Sequence, residues 1–286
     1  MTRWLARGEH EIPGTGGPAA PGWVTTVEAG RLAQLRFTKR RTEFLLRRWT
    51  AKHAVAAALG LDLEGAPDRD GRPGHDGGLA RIAVLNHPSG APYVLLDGAP
   101  IGVDVSVTDR AGWAACLVGA GLDAVGVDLE LVEPRSDGFV SDFLTAPEQD
   151  YVRSRTDEDA RAAAANLMWS AKESALKVLR TGLRTDTRTV EVTLDGDVSA
   201  GAATAADSPA GGWQRLDVRH TVTGQTFPGW WRRDGSFVLT MTTTRPVPPP
   251  AMLPTSGDLA TATPVHSWLV DPVVPPGVPS VVPPAG

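Results

Sequence analysis

Short runs of alternating apolar and polar residues fill most of the chain, separated by Gly, Pro and Asp. ARIAVLNH (80–87), PYVLLDG (92–98), GVDVSVTD (102–109), GWAACLV (112–118) and GVDLELVE (126–133) read as strands. TVEVTL (189–194), WQRLDVRHTV (213–222), TFPGWWRR (226–233) and SFVLTMTTT (236–244) form a second set. Two long stretches break this rhythm. From Gly30 to Leu59, Phe44, Trp49, Val55 and Leu59 recur at helical spacing, and Gly60 is placed to stop one helix or a pair. A second long helix is expected from Asp159 to Arg180, ending at Gly182, and Thr145-Ala146-Pro147-Glu148 has the form of a capping box opening a shorter one. Helices and strands thus occur twice in similar order, which predicts an α+β fold of two comparable halves, although no clear internal repeat is visible. Residues 1–26, rich in Gly and Pro from Pro13 to Pro21, read as a loose leading segment with order beginning near Val27. The halves are expected at 27–140 and 141–245, followed by a Pro-rich tail over 246–286 that is extended or without regular structure.

Composition narrows the class. With 286 residues, 42% of them hydrophobic, the chain is long enough for a sizeable core. A net charge of −5 gives no general attraction to nucleic acid or an anionic membrane, so neither partner is expected. The single cysteine, Cys116, excludes an internal disulfide framework and fits a cytoplasmic location. No segment reads as an export signal or a membrane span. One region departs from the acidic average: Arg36, Lys39, Arg40, Arg41, Arg47, Arg48 and Lys52 share their stretch with a single acid, Glu43.

Candidate chemistry begins at 124–133, AVGVDLELVE. In an extended run Val125, Val127, Leu129 and Leu131 share one face, while Gly126, Asp128 and Glu130 share the other. The second long helix carries WSAKESALK (169–177), in which Trp169, Glu173 and Lys177 lie nearly on one face. Asp128, Glu130 and Glu173 together would form an all-oxygen site suited to Mg²⁺, whose remaining positions go to water and phosphate oxygens. The chain repeats Gly-Val-Asp at 102–104, but Ser106 stands where a second carboxylate would be needed, so no chemistry is assigned to Asp104.

Taken in order, Asp128-Leu129-Glu130, then Phe143-Leu144-Thr145 with Glu148, then Trp169-Ser170-Ala171-Lys172-Glu173 with Lys177 resembles the 4′-phosphopantetheinyl transferase superfamily, in its larger surfactin-synthetase-type branch. Arg40 to Lys52 resembles the family's basic helix, and Gly90-Ala91-Pro92 its Gly-x-Pro turn. The resemblance implies two similar α+β halves related by a pseudo-twofold, each a small, mainly antiparallel sheet packed with a long helix, and a nucleotide in the cleft between them. It implies Mg²⁺-dependent transfer of the 4′-phosphopantetheine arm from coenzyme A to a serine of an apo acyl or peptidyl carrier protein, by a monomer, releasing adenosine 3′,5′-bisphosphate. Asp128, Glu130 and Glu173 would hold the metal; Glu173 would take the serine proton, with Lys177 beside it. Lys172, Lys177, Arg41, Arg48 and Lys52 would meet the phosphates. The chain departs from the family at Thr108-Asp109, where a Ser-His pair normally holds the 3′-phosphate; Arg110 or the basic helix is expected to compensate. The alternative is a catalytically impaired carrier-protein or nucleotide-binding module of the same fold.

Overall fold

The computed structural model describes residues 1–13, 19–63, 66–72, 76–122, 124–182, 185–195 and 212–265. Its elements in chain order are β1 (Thr2–Gly8), α1 (Thr26–Ala33), α2 (Thr38–Leu59), β2 (Ile82–Asn86), β3 (Pro92–Leu96), β4 (Ala99–Pro100), β5 (Val103–Arg110), β6 (Trp113–Ala120) and β7 (Val125–Leu131). There follow α3 (Asp137–Phe143), α4 (Ala146–Arg153), α5 (Glu158–Leu179), β8 (Val190–Leu194), β9 (Gln214–His220), β10 (Thr226–Asp234), β11 (Phe237–Thr243) and β12 (Ala251–Met252). The fold is α+β. One sheet runs β12-β1-β6-β5, a second β7-β11-β10-β9-β8, and a third β2-β3-β4. Pairing is antiparallel except between β12 and β1.

Side-chain alternation along the strands orders the layers. Leu5, Cys116 and Val118 of the first sheet meet Ala51, Ala54 and Val55 of α2. Their neighbours Trp4, Ala6, Ala115 and Leu117 point the other way, against Val125, Val127 and Leu129 of β7 and Leu239 and Met241 of β11. The remaining face of the second sheet takes Leu167, Ala171, Ala175 and Leu176 of α5 against Leu216, Val218, Phe227 and Trp231. The result is helix, sheet, sheet, helix, with the expected apolar face of β7 in the shared core and its acidic face toward α5. Helix α5 comes so close to β7 that a Cβ on Gly126 would lie 1.9 Å from the Ser174 carbonyl oxygen, so the glycine of Gly-Val-Asp is a packing requirement.

An internal repeat is present after all. Thr25-Thr26-Val27-Glu28 and Thr145-Ala146-Pro147-Glu148 stand at the same offset along the chain as Trp49-Thr50-Ala51-Lys52 and Trp169-Ser170-Ala171-Lys172. Both Thr-x-x-Glu segments form capping boxes. Each glutamate also accepts a strand amide (Val84 N to Glu28, Val192 N to Glu148) and pairs with the helix lysine, at 2.6 Å for Lys52 and 2.8 Å for Lys172. Each half is thereby clamped by one buried ion pair that joins a short helix, a long helix and a strand.

Both expectations for the chain ends are corrected. The described residues of the leading segment, 1–13 and 19–26, are not loose: β1 lies between β12 and β6 in the first sheet, and Ile12, Trp23 and Val24 are buried. Nor is the described part of the tail, 246–265, unstructured. β12 extends the first sheet, the amides of Leu253 and Gly257 bond the carbonyls of Trp4 and Ala6, and Leu253 and Leu259 are buried in two separate cores. Residues 266–286, with Trp268, lie outside the described residues. The second sheet begins at β7, ahead of the break expected at residue 140.

Truncation after Arg245 removes two buried leucines, each contributing ~1.5–3 kcal/mol by area, and bares one edge of β1. The melting temperature is expected to fall by on the order of 10 °C. A truncated protein that melts with the full chain would show that the strap is only laid on the surface.

Candidate active site

The acids of β7 and α5 meet where these elements pack. Glu130 Oε1 accepts the Trp169 indole N–H at 3.0 Å, and the Trp169 ring stands edge-on to Phe139 and Phe143 of α3. Glu130 Oε2 takes Arg135 at 2.9 Å, with Arg110 at 3.3 Å. Arg135 is braced in turn by Asn166 Oδ1 at 2.7 Å, and Arg110 also pairs with Glu133. Asp128 Oδ1 receives Lys177 Nζ at 2.8 Å and the Thr108 hydroxyl at 3.1 Å; Lys177 also donates to the Val127 carbonyl at 2.8 Å. Two carboxylate oxygens remain buried without a hydrogen-bond partner, Asp128 Oδ2 and Glu173 Oε1.

Burial dominates the electrostatics. It pushes the Glu173 carboxyl up to about 7, helped by the Asp128 charge and opposed by Lys177. Glu130 is raised by the same two causes in the same order, and Arg110, Arg135 and the Trp169 hydrogen bond oppose the rise. Among the described residues no three His, Cys, Asp or Glu side chains are gathered as a ready-made metal cage. The donor set nevertheless fits a hard cation: two partnerless, buried carboxylate oxygens need a proton or a metal, and Mg²⁺ commonly takes one or two carboxylates beside water and phosphate. Glu130, expected as the third ligand, has both oxygens occupied by protein donors.

Beside these acids a cleft of about 800 Å³ opens between the halves. Of the residues picked out from the sequence, Arg48, Glu173, Lys177 and the Gly90-Ala91-Pro92 turn line it. Arg40 and Arg47 of the basic stretch line it as well, as do Arg31 and Arg180, which were not singled out. Asp104 is on the same wall, 3.6 Å from Arg180. Arg48 stacks over Phe44 and donates to Asn86 at 2.7 Å; burial lowers its pKa to about 10 against the pull of Glu28. Arg47 pairs with Asp109. The departure at 108–109 thus holds one cleft arginine and one site carboxylate.

Four expected phosphate contacts are placed elsewhere. Lys52 and Lys172 are fully buried and serve the two clamps, where Lys52 bonds the carbonyls of Trp23 and Leu79 and Lys172 those of Thr187 and Val190. Neither can reach a ligand. Arg41 is buried, donates to the Leu32 carbonyl and does not line the cleft. Arg110 lines a smaller crevice of about 380 Å³ with Asp109 and Glu133. Arg135, which grips Glu130, had no signal in the sequence beyond its position just after the acidic strand.

Residues 124–227 match the family model of the 4′-phosphopantetheinyl transferase superfamily, a stretch that contains Asp128, Glu130, Glu173 and Lys177. No curated protein matches the chain. Among solved structures it is similar to the holo-[acyl-carrier-protein] synthase of Thermotoga maritima, with 18% identity and a TM-score of 0.30 over 48% of this chain and 77% of that one. No helix among the described residues is long and apolar enough to cross a membrane.

Two outcomes follow from these charges. Lys172→Met leaves Glu148 buried and uncompensated, at a cost of ~3–5 kcal/mol in urea unfolding, whereas Glu148→Leu with Lys172→Met recovers only part of it, because the amides of Thr145 and Val192 lose their acceptor. A Lys172→Met protein of wild-type stability would refute the clamp. The second concerns pH. Between its ordinary 4.5 and about 7, folded Glu173 keeps a proton that the unfolded chain has released. Its stabilising contribution is therefore complete below 4.5 and is lost as pH rises to about 7. Melting curves in a chelator should decline across that range, and Glu173→Gln should flatten part of the decline; a wild-type slope retained by Glu173→Gln would contradict this.

Proposed function

We propose that this chain transfers the 4′-phosphopantetheine arm of coenzyme A to a serine hydroxyl of an apo acyl or peptidyl carrier protein and releases adenosine 3′,5′-bisphosphate, with Mg²⁺ as cofactor. The observation that carries the reading is the match over residues 124–227, because two residues of that stretch, Glu173 and Lys177, line the arginine-rich cleft. On this reading the protein is a cytoplasmic monomer of the larger surfactin-synthetase-type branch, its halves related by a pseudo-twofold; the duplicated Glu-Lys clamp supports that relation.

Each residue then has a task set by its surroundings. Arg31, Arg40, Arg47 and Arg48 hold the nucleotide phosphates, with Asp109 fixing Arg47 where the family has a Ser-His pair. Asp128 Oδ2 and Glu173 Oε1 would hold Mg²⁺, which when bound supplies positive charge for the pyrophosphate oxygens. Glu173, which lines the cleft, accepts the serine proton on its other carboxylate oxygen. The serine oxygen forms a bond to the phosphorus of the arm, and the bond from that phosphorus to the bridging oxygen breaks, its electron pair leaving with the nucleotide. Lys177 stays on Asp128 and Val127, keeping the acid face in register with α5.

Mass spectrometry of apo carrier proteins incubated with coenzyme A and Mg²⁺ is expected to show a gain of one phosphopantetheine. An unmodified carrier at high enzyme concentration would remove the reading. Glu173→Gln keeps size and one acceptor oxygen, so coenzyme A binding by calorimetry should persist while transfer falls by about two orders of magnitude. Transfer at the wild-type rate would exclude Glu173 as the base.

A further inference from the structure

The chemistry described so far belongs to the second half of the chain, yet one donor to it comes from the first. Thr108 sits on β5, an edge strand of the first sheet, and is 6% exposed. Its hydroxyl donates to Asp128 Oδ1 at 3.1 Å. Ser106, two residues earlier and therefore on the same strand face, takes the Val127 amide at 3.0 Å. These hydroxyls meet β7 on the edge that its own sheet leaves unpaired.

The geometry points to Thr108 as a positioning residue for Asp128: its hydroxyl fixes the carboxylate so that Oδ1 is spent on protein donors and Oδ2 stays turned to the site. This rests on the function proposed above. The physical need is specific. The terminal torsion of an aspartate is broad and nearly two-fold, so one donor leaves its oxygens free to exchange. Lys177, the other donor to Oδ1, is on a long, flexible stem, and its side chain is 28% exposed. The hydroxyl of a buried, β-branched residue on a strand has far less freedom. Two donors converging on one oxygen from opposite halves hold the carboxylate, and the other oxygen is left buried without a partner, as a cation ligand must be. The same dipeptide sets the cleft, since Asp109 faces the other way and pairs with Arg47.

Thr108→Val removes the hydroxyl at nearly constant shape, and Thr108→Ser keeps it. Mn²⁺ affinity of the coenzyme-free protein, read by paramagnetic resonance, is expected to weaken on the order of tenfold in Thr108→Val, the usual size of effect for a partner behind a ligand. Turnover should fall while the KM for coenzyme A stays unchanged. Thr108→Ser should recover both within about twofold, the shortfall reflecting only its freer torsion. Wild-type Mn²⁺ affinity in Thr108→Val overturns the inference, and so does an equal loss in Thr108→Ser, which would assign the effect to methyl packing. If Thr108→Val fails to fold, Thr108→Ala against Thr108→Ser makes the same comparison. A wild-type protein that binds Mn²⁺ but modifies no carrier sinks the transfer reading and leaves this test standing; one that binds no Mn²⁺ overturns both.

Discussion

Everything at the site depends on how one buried strand edge is satisfied. β7 pairs with β11 on one side only, and its free side is pressed against β5 and α5, where water cannot serve its backbone groups. The Val127 amide goes to the Ser106 hydroxyl and its carbonyl to Lys177. Neither partner is a backbone group. The seam is therefore closed by side chains, and Lys177, together with Thr108 beside Ser106, also reaches Asp128. Structural satisfaction of the seam and placement of the acid are one arrangement, so the half that carries the acids is incomplete without the other.

Much of this was legible beforehand. Alternation located the strands from β2 to β11 except the two-residue β4, and it gave β7 its apolar and acidic faces. Capping signals located α4, and helical spacing both long helices. The acid set and Lys177 were named from their spacing on strand and helix. What spacing does not reveal is depth. Lys172 and Lys177 are alike in a sequence, but five positions apart on a helix they point about 140° from one another; one is sealed in a clamp and the other reaches Asp128. Lys52 misled for the same reason, and only its repetition of Trp-x-Ala-Lys could have exposed it as a structural residue.

The chain ends were illegible for a different reason. Trp4, Leu5 and Ala6 are consecutive apolar residues, the pattern of a strand buried on both faces, and the Gly and Pro that follow masked it. The two residues of β12 lie among prolines and carry no periodicity; their strand character comes entirely from the edge of β1 that they cover. The basic helix was overestimated because its counter-charges are distant in sequence: Glu28 faces Arg48 and Lys52, and Asp109 faces Arg47. Local charge counting cannot find such partners.

The strap over 246–265 has a consequence for synthesis. β1 leaves the ribosome well before β12, yet they are neighbours in one sheet. The helix–sheet core of the first half can form around β1, β5, β6 and α2, but the pocket that Leu253 fills stays open until the second half and the strap behind it have been made. At a few to some twenty residues per second, the nascent first half must wait several seconds with an uncovered strand edge. The chain's last described segment thus acts as a closing fastener, added when both halves are already present to be joined.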